Sequence, residues 1–223
     1  MAVTARFDVT TVWFSVAARV APLGEMSPLA APAGDAGDRG GEKMNLSHYN
    51  KIMILGNNGS GKSWLAKRLA AVTGLPLVHL DAHFWRGNWE MPTHEEWLAK
   101  NQEFIAGEKW IIEGNVNHGG TMALRFAAAE LAIVLDVNRV TCVLGVIKRL
   151  GKPRPETLIW AYEKFNWNFM GFAMAVLTRY GRLKRQYLGL HETYPKTAYW
   201  VIKGRRGMRK LLSINDKGVI DKQ

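Results

Sequence analysis

Residues 56–63 read GNNGSGKS, and the chemistry of the chain concentrates there. Gly56, Gly61, Lys62 and Ser63 occupy the fixed positions of the pattern G-x-x-x-x-G-K-[ST], with Asn57, Asn58, Gly59 and Ser60 between them and Trp64 after. Glycines allow backbone turns that a Cβ would block, so successive N–H groups can point into one concavity. Such a concavity cradles anions, and a helix that starts at its rim adds partial positive charge. The Lys62 ammonium would reach the β- and γ-phosphates of a nucleotide, and the Ser63 hydroxyl would ligate Mg²⁺. The alternative is a glycine-rich turn with no ligand. The context argues against it, because the motif needs a strand before it and a helix after it. KIMIL supplies the strand, while Leu65, Leu69 and Val72 supply one apolar helix face. The stretch reads as a nucleoside triphosphate site that takes ATP and Mg²⁺.

Metal binding and group transfer call for carboxylates, and open α/β sheets gather ligands at the C-terminal ends of their strands. Three acids stand at such ends: Asp81 after LVHL, Glu113 after KWII and Asp136 after LAIVL. Each alone could merely cap a following helix. Asp81 is assigned to face the substrate and to accept its proton. Asp136, which has the form of a Walker B acid, is assigned to Mg²⁺ or its waters with Ser63. Glu113 stays open between these roles.

The elements that must position these groups follow from patterning. Strands are expected at Lys51–Leu55, Leu75–Leu80, Lys109–Glu113, Leu131–Asp136 and Ala198–Lys203. Helices are expected near Lys62–Thr73, Thr93–Ala106, Thr121–Glu130, Val140–Leu150 and Arg206–Leu212. Thr93 and Glu96 form a capping-box pair before an apolar stripe. The alternation implies an α/β fold in which a five-stranded parallel sheet is flanked by helices as a three-layer sandwich. Residues 151–190 break the alternation with two helical segments and no strand, which reads as a helical lid inserted in the domain.

The chain has 223 residues, room for one domain, and carries a net charge of +11. Residues 139–223 hold 18 Lys/Arg against 5 Asp/Glu, so the excess sits in the C-terminal third. That points to a polyanionic partner, nucleotide or nucleic acid, with a solvated basic face as the plain alternative. No apolar run approaches the ~20 residues of a membrane-spanning helix. The single Cys142 lies in an apolar run, as expected for a buried thiol in the reducing cytoplasm. Residues 1–43 are rich in Ala, Gly and Pro without periodicity, and read as a disordered extension. Met44 stands just before the first strand and is the expected natural start of a domain over 44–223.

With GNNGSGKS, HLDAHFWRGNW, WIIEGNV, IVLDVNR, GKPRP and LTRYGRLKRQY in this order, residues 44–213 resemble the adenylate-kinase-like P-loop kinases. Within them the chain looks most similar to the bacterial DNA topology modulation proteins. The resemblance implies phosphoryl transfer from ATP under a mobile lid. It places Arg149 and Arg154 at hinge and lid over the transferred phosphate. Arg179, Arg182 and Arg185, spaced by three, would serve the same end from one helix face, unless they are a solvated arginine face. Where the family commonly carries Thr, Trp64 follows Ser63 here.

On the acceptor side, Trp85 and Trp89 follow Asp81 with Arg86 between them, suited to stack a flat substrate or pair with a phosphate. Asn115 of the EGN string joins Glu113 there, whereas Trp97 and Trp110 read as core. His79 and His83 flank Asp81 without a third ligand, so no zinc site is expected. Three functions compete: a kinase acting on a nucleotide, nucleoside or other small acceptor; a nucleic-acid-binding NTPase using the basic C-terminal region; and a regulatory NTP-binding protein. The first is favoured, since no helix-turn-helix, zinc-finger or RNA-binding signature is present. Interleaved Trp160, Tyr162, Phe165, Trp167 and Tyr180 could stack bases or line a lid.

Overall fold

The computed structural model describes residues 44–86, 90–150 and 167–220. Residues 1–43, Trp89, Arg154 and most of the first half of the expected lid lie outside them. Five parallel strands form one sheet in the order β2-β3-β1-β4-β5. They are β1 (Lys51–Gly56), β2 (Leu77–His79), β3 (Trp110–Glu113), β4 (Leu131–Asp136) and β5 (Ala198–Lys203). The P-loop strand is therefore central, with β3 on one side and β4 on the other.

Side-chain alternation along these strands builds two cores. From β1, Ile52 and Ile54 enter one core, which also holds Ile133 of β4 and Ile111 of β3. Met53 and Leu55 enter the other, with Val134 and Ile112. Helices α1 (Lys62–Thr73), α5 (Arg139–Ile147) and α7 (Gly204–Ile220) contribute to the first core through Leu65, Leu69, Cys142, Val146, Met208 and Leu211. Helices α2 (Leu80–Phe84), α3 (His94–Ala106) and α4 (Thr121–Ala128) contribute to the second through Leu80, Phe84, Trp97, Met122 and Phe126. The result is the expected three-layer α/β sandwich. Ile52, Met53, Ile54 and Leu55 are each 0% exposed, worth about 1.5–3 kcal/mol per side chain against exposure.

Local signals set the helix ends. The Thr93 hydroxyl accepts from the Glu96 N–H at 3.2 Å while the Glu96 carboxylate accepts from the Thr93 N–H at 2.8 Å. α1 stops at Gly74, which takes φ 71° and returns its N–H to the Ala70 carbonyl. Strand β2 is shorter than its apolar run suggested. Leu80 and Phe84, one helical turn apart and both buried, draw residues 80–84 into α2. Asp81 thus stands in the first turn of a helix rather than at a strand end.

The described part of the expected two-helix insertion is one helix, α6 (Trp167–Thr193), about 40 Å long. It crosses the C-terminal edge of the sheet: Phe169 and Val176 belong to the first core, Tyr187 to the second. At the far end α7 runs on to Ile220, and its Asn215 side chain accepts from the Leu46 N–H at 2.7 Å and donates to the Met44 carbonyl at 2.8 Å.

Candidate functional site

The cradle is built by close approach. Gly59 has φ +77°, and a Cβ there would lie 2.0 Å from the Cys142 carbonyl oxygen of α5. Gly61 (φ 96°) begins α1 with no side-chain cap. The first-turn N–H groups of α1 therefore face the loop without intrahelical partners. Asn57, 2% exposed, organises the turn. Its side-chain oxygen accepts from the Asn58 N–H at 2.9 Å, and its carbonyl accepts from the Ser60 N–H at 3.2 Å and from Lys62 Nζ at 3.0 Å. Its Nδ2 donates to the Val176 carbonyl of α6 at 2.8 Å. Asn58 lies beside it, and the buried Ser60 hydroxyl has no hydrogen-bond partner among the described residues. An orphan hydroxyl among first-turn N–H groups and a buried ammonium is a donor set suited to phosphate oxygens. These residues fit a triphosphate.

Burial pulls the Lys62 ammonium below its ordinary pKa, while the charges of Glu113 and Asp81 raise it and Arg149 lowers it. Lys62 thus has both carboxylates and the Arg149 guanidinium within electrostatic reach. Burial would raise the Glu113 carboxyl, yet its hydrogen bond to His79 and the charge of Lys62 bring it below the usual range, helped by a hydrogen bond from Ser63. The His79 ring Nδ1 lies 3.0 Å from Glu113 Oε2. The carboxylate beside Ser63 and Lys62 is therefore Glu113, and Ser63 with Glu113 is the pair that fits Mg²⁺ and its waters.

Asp136, the acid expected at the metal, has both oxygens committed to α6. Oδ1 accepts from the Tyr180 hydroxyl at 3.0 Å and Oδ2 from Lys184 Nζ at 2.9 Å. The Lys184 hydrogen bond, opposed in part by burial, holds its carboxyl below the usual range. It lines an open cavity of ≈ 550 Å³ between α5 and α6 with Arg139, Leu177, Tyr180 and Lys184.

The other expected residues divide. Arg149, half-buried in the turn after α5, lies within electrostatic reach of Lys62. Arg182 and Arg185 are exposed on α6. At 100° per residue they lie more than 120° from the seam of Val176, Tyr180 and Tyr187 that faces the strand ends. Arg179 is on the flank, its guanidinium drawn below its ordinary pKa by burial and then by the charge of Arg182. The spacing of three therefore keeps these arginines on one arc of about 120°, turned away from that seam. Arg86 is exposed and pairs with Glu96 at 3.0 Å. Trp85 stacks edge-on against Phe84, ring centroids 4.9 Å apart. Asn115 donates to the Gly56 carbonyl and accepts from the Tyr187 hydroxyl at 3.0 Å, tying the β3 loop to the P-loop and to α6. Trp64 is 46% exposed under the Arg68 guanidinium, 5.7 Å from its ring centroid. Trp97 and Trp110 are core, as expected.

Sequence reasoning missed three features. His79 was weighed only as a metal ligand. Tyr180 and Tyr187, seven apart, already marked a helix seam. Arg125 is 0% exposed and donates to Asn101, Thr121 and the Val116 carbonyl, with no carboxylate partner among the described residues. It braces the loop that carries Asn115, and no sequence signal separated it from an ordinary surface arginine.

No protein-family model matches the chain, and no curated protein matches it. Solved structures similar to it include a gluconokinase from Sinorhizobium meliloti 1021, at 14% identity and TM-score 0.43 over 77% of this chain and 94% of that one. A shikimate kinase from Bacteroides thetaiotaomicron aligns at 13% identity and TM-score 0.41 over 77% and 99%. A shikimate kinase from Acinetobacter baumannii in complex with shikimate aligns at 12% identity and TM-score 0.46 over 79% and 97%.

Proposed function

We propose that this chain is an ATP- and Mg²⁺-dependent P-loop phosphotransferase, adenylate-kinase-like, that acts on a nucleotide, nucleoside or other small acceptor. Its motif strings resemble those of the DNA topology modulation proteins. The observation that carries the reading is the buried Glu113 carboxylate beside Lys62 and Ser63 at the rim of a glycine cradle. A purely structural glycine turn has no use for an ammonium, a carboxylate and an orphan hydroxyl removed from water together.

ATP with Mg²⁺ supplies the phosphoryl group and neutralises its charge. The backbone N–H groups of Gly59–Ser63 hold the phosphates, and Lys62 and Arg149 offset charge on the oxygens as it spreads in the transition state. Asp81 accepts the proton of the acceptor hydroxyl, and Ser63 with Glu113 orients the metal. Trp85, Arg86 and Asn115 border the acceptor side, and Arg154 is the arginine assigned to the transferred phosphate.

An ADP-release screen with ATP and Mg²⁺ against nucleosides, nucleoside monophosphates and small metabolites tests this reading. An acceptor-dependent rate, abolished in Lys62→Ala, is expected. Equal ATP binding by wild type and Lys62→Ala in calorimetry refutes the P-loop assignment. A second reading, nucleic-acid binding, draws on Arg205, Arg206, Arg209 and Lys210, all exposed on α7. It requires tight, salt-sensitive binding of single-stranded DNA that is lost in Arg205→Ala/Arg206→Ala while acceptor-independent turnover survives.

A further inference from the structure

Glu113 is a carboxylate almost removed from water, and two partners compensate it. The register of the sheet pairs His79 with Glu113 across β2 and β3. Their side chains are 16% and 9% exposed, and His79 Nδ1 lies 3.0 Å from Glu113 Oε2. The second acts as a nearby positive charge: it is Lys62, itself 8% exposed and hydrogen-bonded to the Asn57 carbonyl at 3.0 Å. A phosphate entering the cradle needs that ammonium. Were Lys62 the sole compensation, phosphate binding would draw it away and leave a buried carboxylate without a partner, which costs several kcal/mol. With its proton on Nδ1, the imidazole donates to Oε2 in either charge state, and it stays on the sheet when Lys62 turns to a ligand.

We propose that His79 is a positioning residue: it holds the Glu113 carboxylate so that Lys62 is free to engage a nucleotide's phosphates. The inference rests on the phosphotransferase reading and adds a residue to it. The backbone supports this role, because β2 contributes little else at its end. Leu80 turns away into α2, and Asp81 follows in the first helical turn. His79 is thus the last strand residue of β2 and stands level with the last strand residue of β3.

Calorimetric titration with ATP in the absence of Mg²⁺ tests the inference apart from any metal effect. His79→Leu should weaken ATP binding about ten-fold, the scale of one hydrogen bond to a charged group. His79→Asn, whose amide N–H can stand where Nδ1–H stood, should stay within about three-fold of wild type. The diagnostic variant is His79→Leu with Glu113→Gln. With no uncompensated carboxylate left to compete with phosphate for the charge of Lys62, ATP affinity should recover most of the loss. A histidine that merely shapes the site predicts no recovery, since Glu113→Gln would leave that distortion in place. If His79→Leu does not fold, His79→Ala, alone and with Glu113→Gln, gives the same comparison. Unchanged ATP affinity in the single variant, or no recovery in the double variant, overturns the role given to His79. Wild-type protein that fails to bind ATP overturns the phosphotransferase reading and this inference with it.

Discussion

Replacing Gly145 by alanine separates two opposing effects whose sign the structure decides. Gly145 lies in α5 with ordinary helical backbone, where alanine is favoured over glycine by ~1 kcal/mol. Its added Cβ, however, would stand 2.4 Å from the Gly59 carbonyl oxygen and 3.2 Å from the Gly59 carbonyl carbon, both backbone atoms of the cradle. Carbon and oxygen settle at ~3.3 Å, so the P-loop or α5 must retreat by about 0.9 Å. Overpacking of that kind costs ~1–3 kcal/mol, enough to cancel or outweigh the helical gain. Gly189 in α6 is the control, with nothing within 4 Å of its added Cβ. Gly189→Ala should stabilise by ~0.5–1 kcal/mol. Urea unfolding should then place Gly145→Ala ~1–3 kcal/mol below the control. In a domain of this size that corresponds to a Tm roughly 2–12 °C lower. ATP affinity should fall in Gly145→Ala alone, because Gly59 is displaced. If Gly145→Ala stabilises the protein as much as Gly189→Ala, the packing of α5 on the P-loop is refuted.

Thr93→Ala removes the capping box of α3 and should lower unfolding free energy by ~1 kcal/mol, read by urea denaturation. Tyr187→Phe deletes the hydroxyl that donates to Asn115, and should cost ~0.5–1.5 kcal/mol in the same assay. Lys184→Met tests the Asp136 pair. The folded-state pKa of Asp136 is lowered, chiefly by Lys184, so the pair's stabilisation is present above the unfolded carboxylate pKa and is lost as pH falls through the folded value. The substitution should therefore cost less than ~1 kcal/mol at neutral pH, given the exposure of the lysine, and nothing in strong acid. A cost that persists in acid would show that Lys184 acts through packing.

How much of this was legible follows from where the information lies. β1, β3 and β4 were readable because their runs are fully buried on both faces, and parallel central strands carry continuous apolar sequence. The P-loop was readable because its constraints are local: a left-handed turn at Gly59 and a close approach to α5 admit few residues other than glycine. β2 was overextended because Leu75–Leu80 is apolar except for His79, and only the packing of Leu80 and Phe84 shows that a helix has begun. Asn57 and Arg125 owe their roles to contacts 119 and 24 residues away, with Val176 and Asn101, and no local pattern encodes these.

The two acids at the ends of β3 and β4 make the same point about function. WIIE and LAIVLD present one local pattern, an apolar strand that ends in a carboxylate, and the second is the better match to a metal-binding strand. Strand order places these two strands on opposite sides of β1, so each acid is a neighbour of the cradle. What distinguishes them is which element reaches over the edge. On the β4 side α6 supplies Tyr180 and Lys184, which occupy both oxygens of Asp136 and fasten the helix to the sheet. On the β3 side, among the described residues, the acid is held by a strand neighbour, His79, and feels the P-loop's own Lys62 and Ser63. A carboxylate tied to a distant helix serves to hold that helix. A carboxylate held by its own sheet, facing an ammonium that a phosphate can draw away, can respond to a ligand. The charge arrangement therefore supports Glu113 over Asp136 as the acid of the proposed reaction, although the sequence pattern alone ranks them the other way.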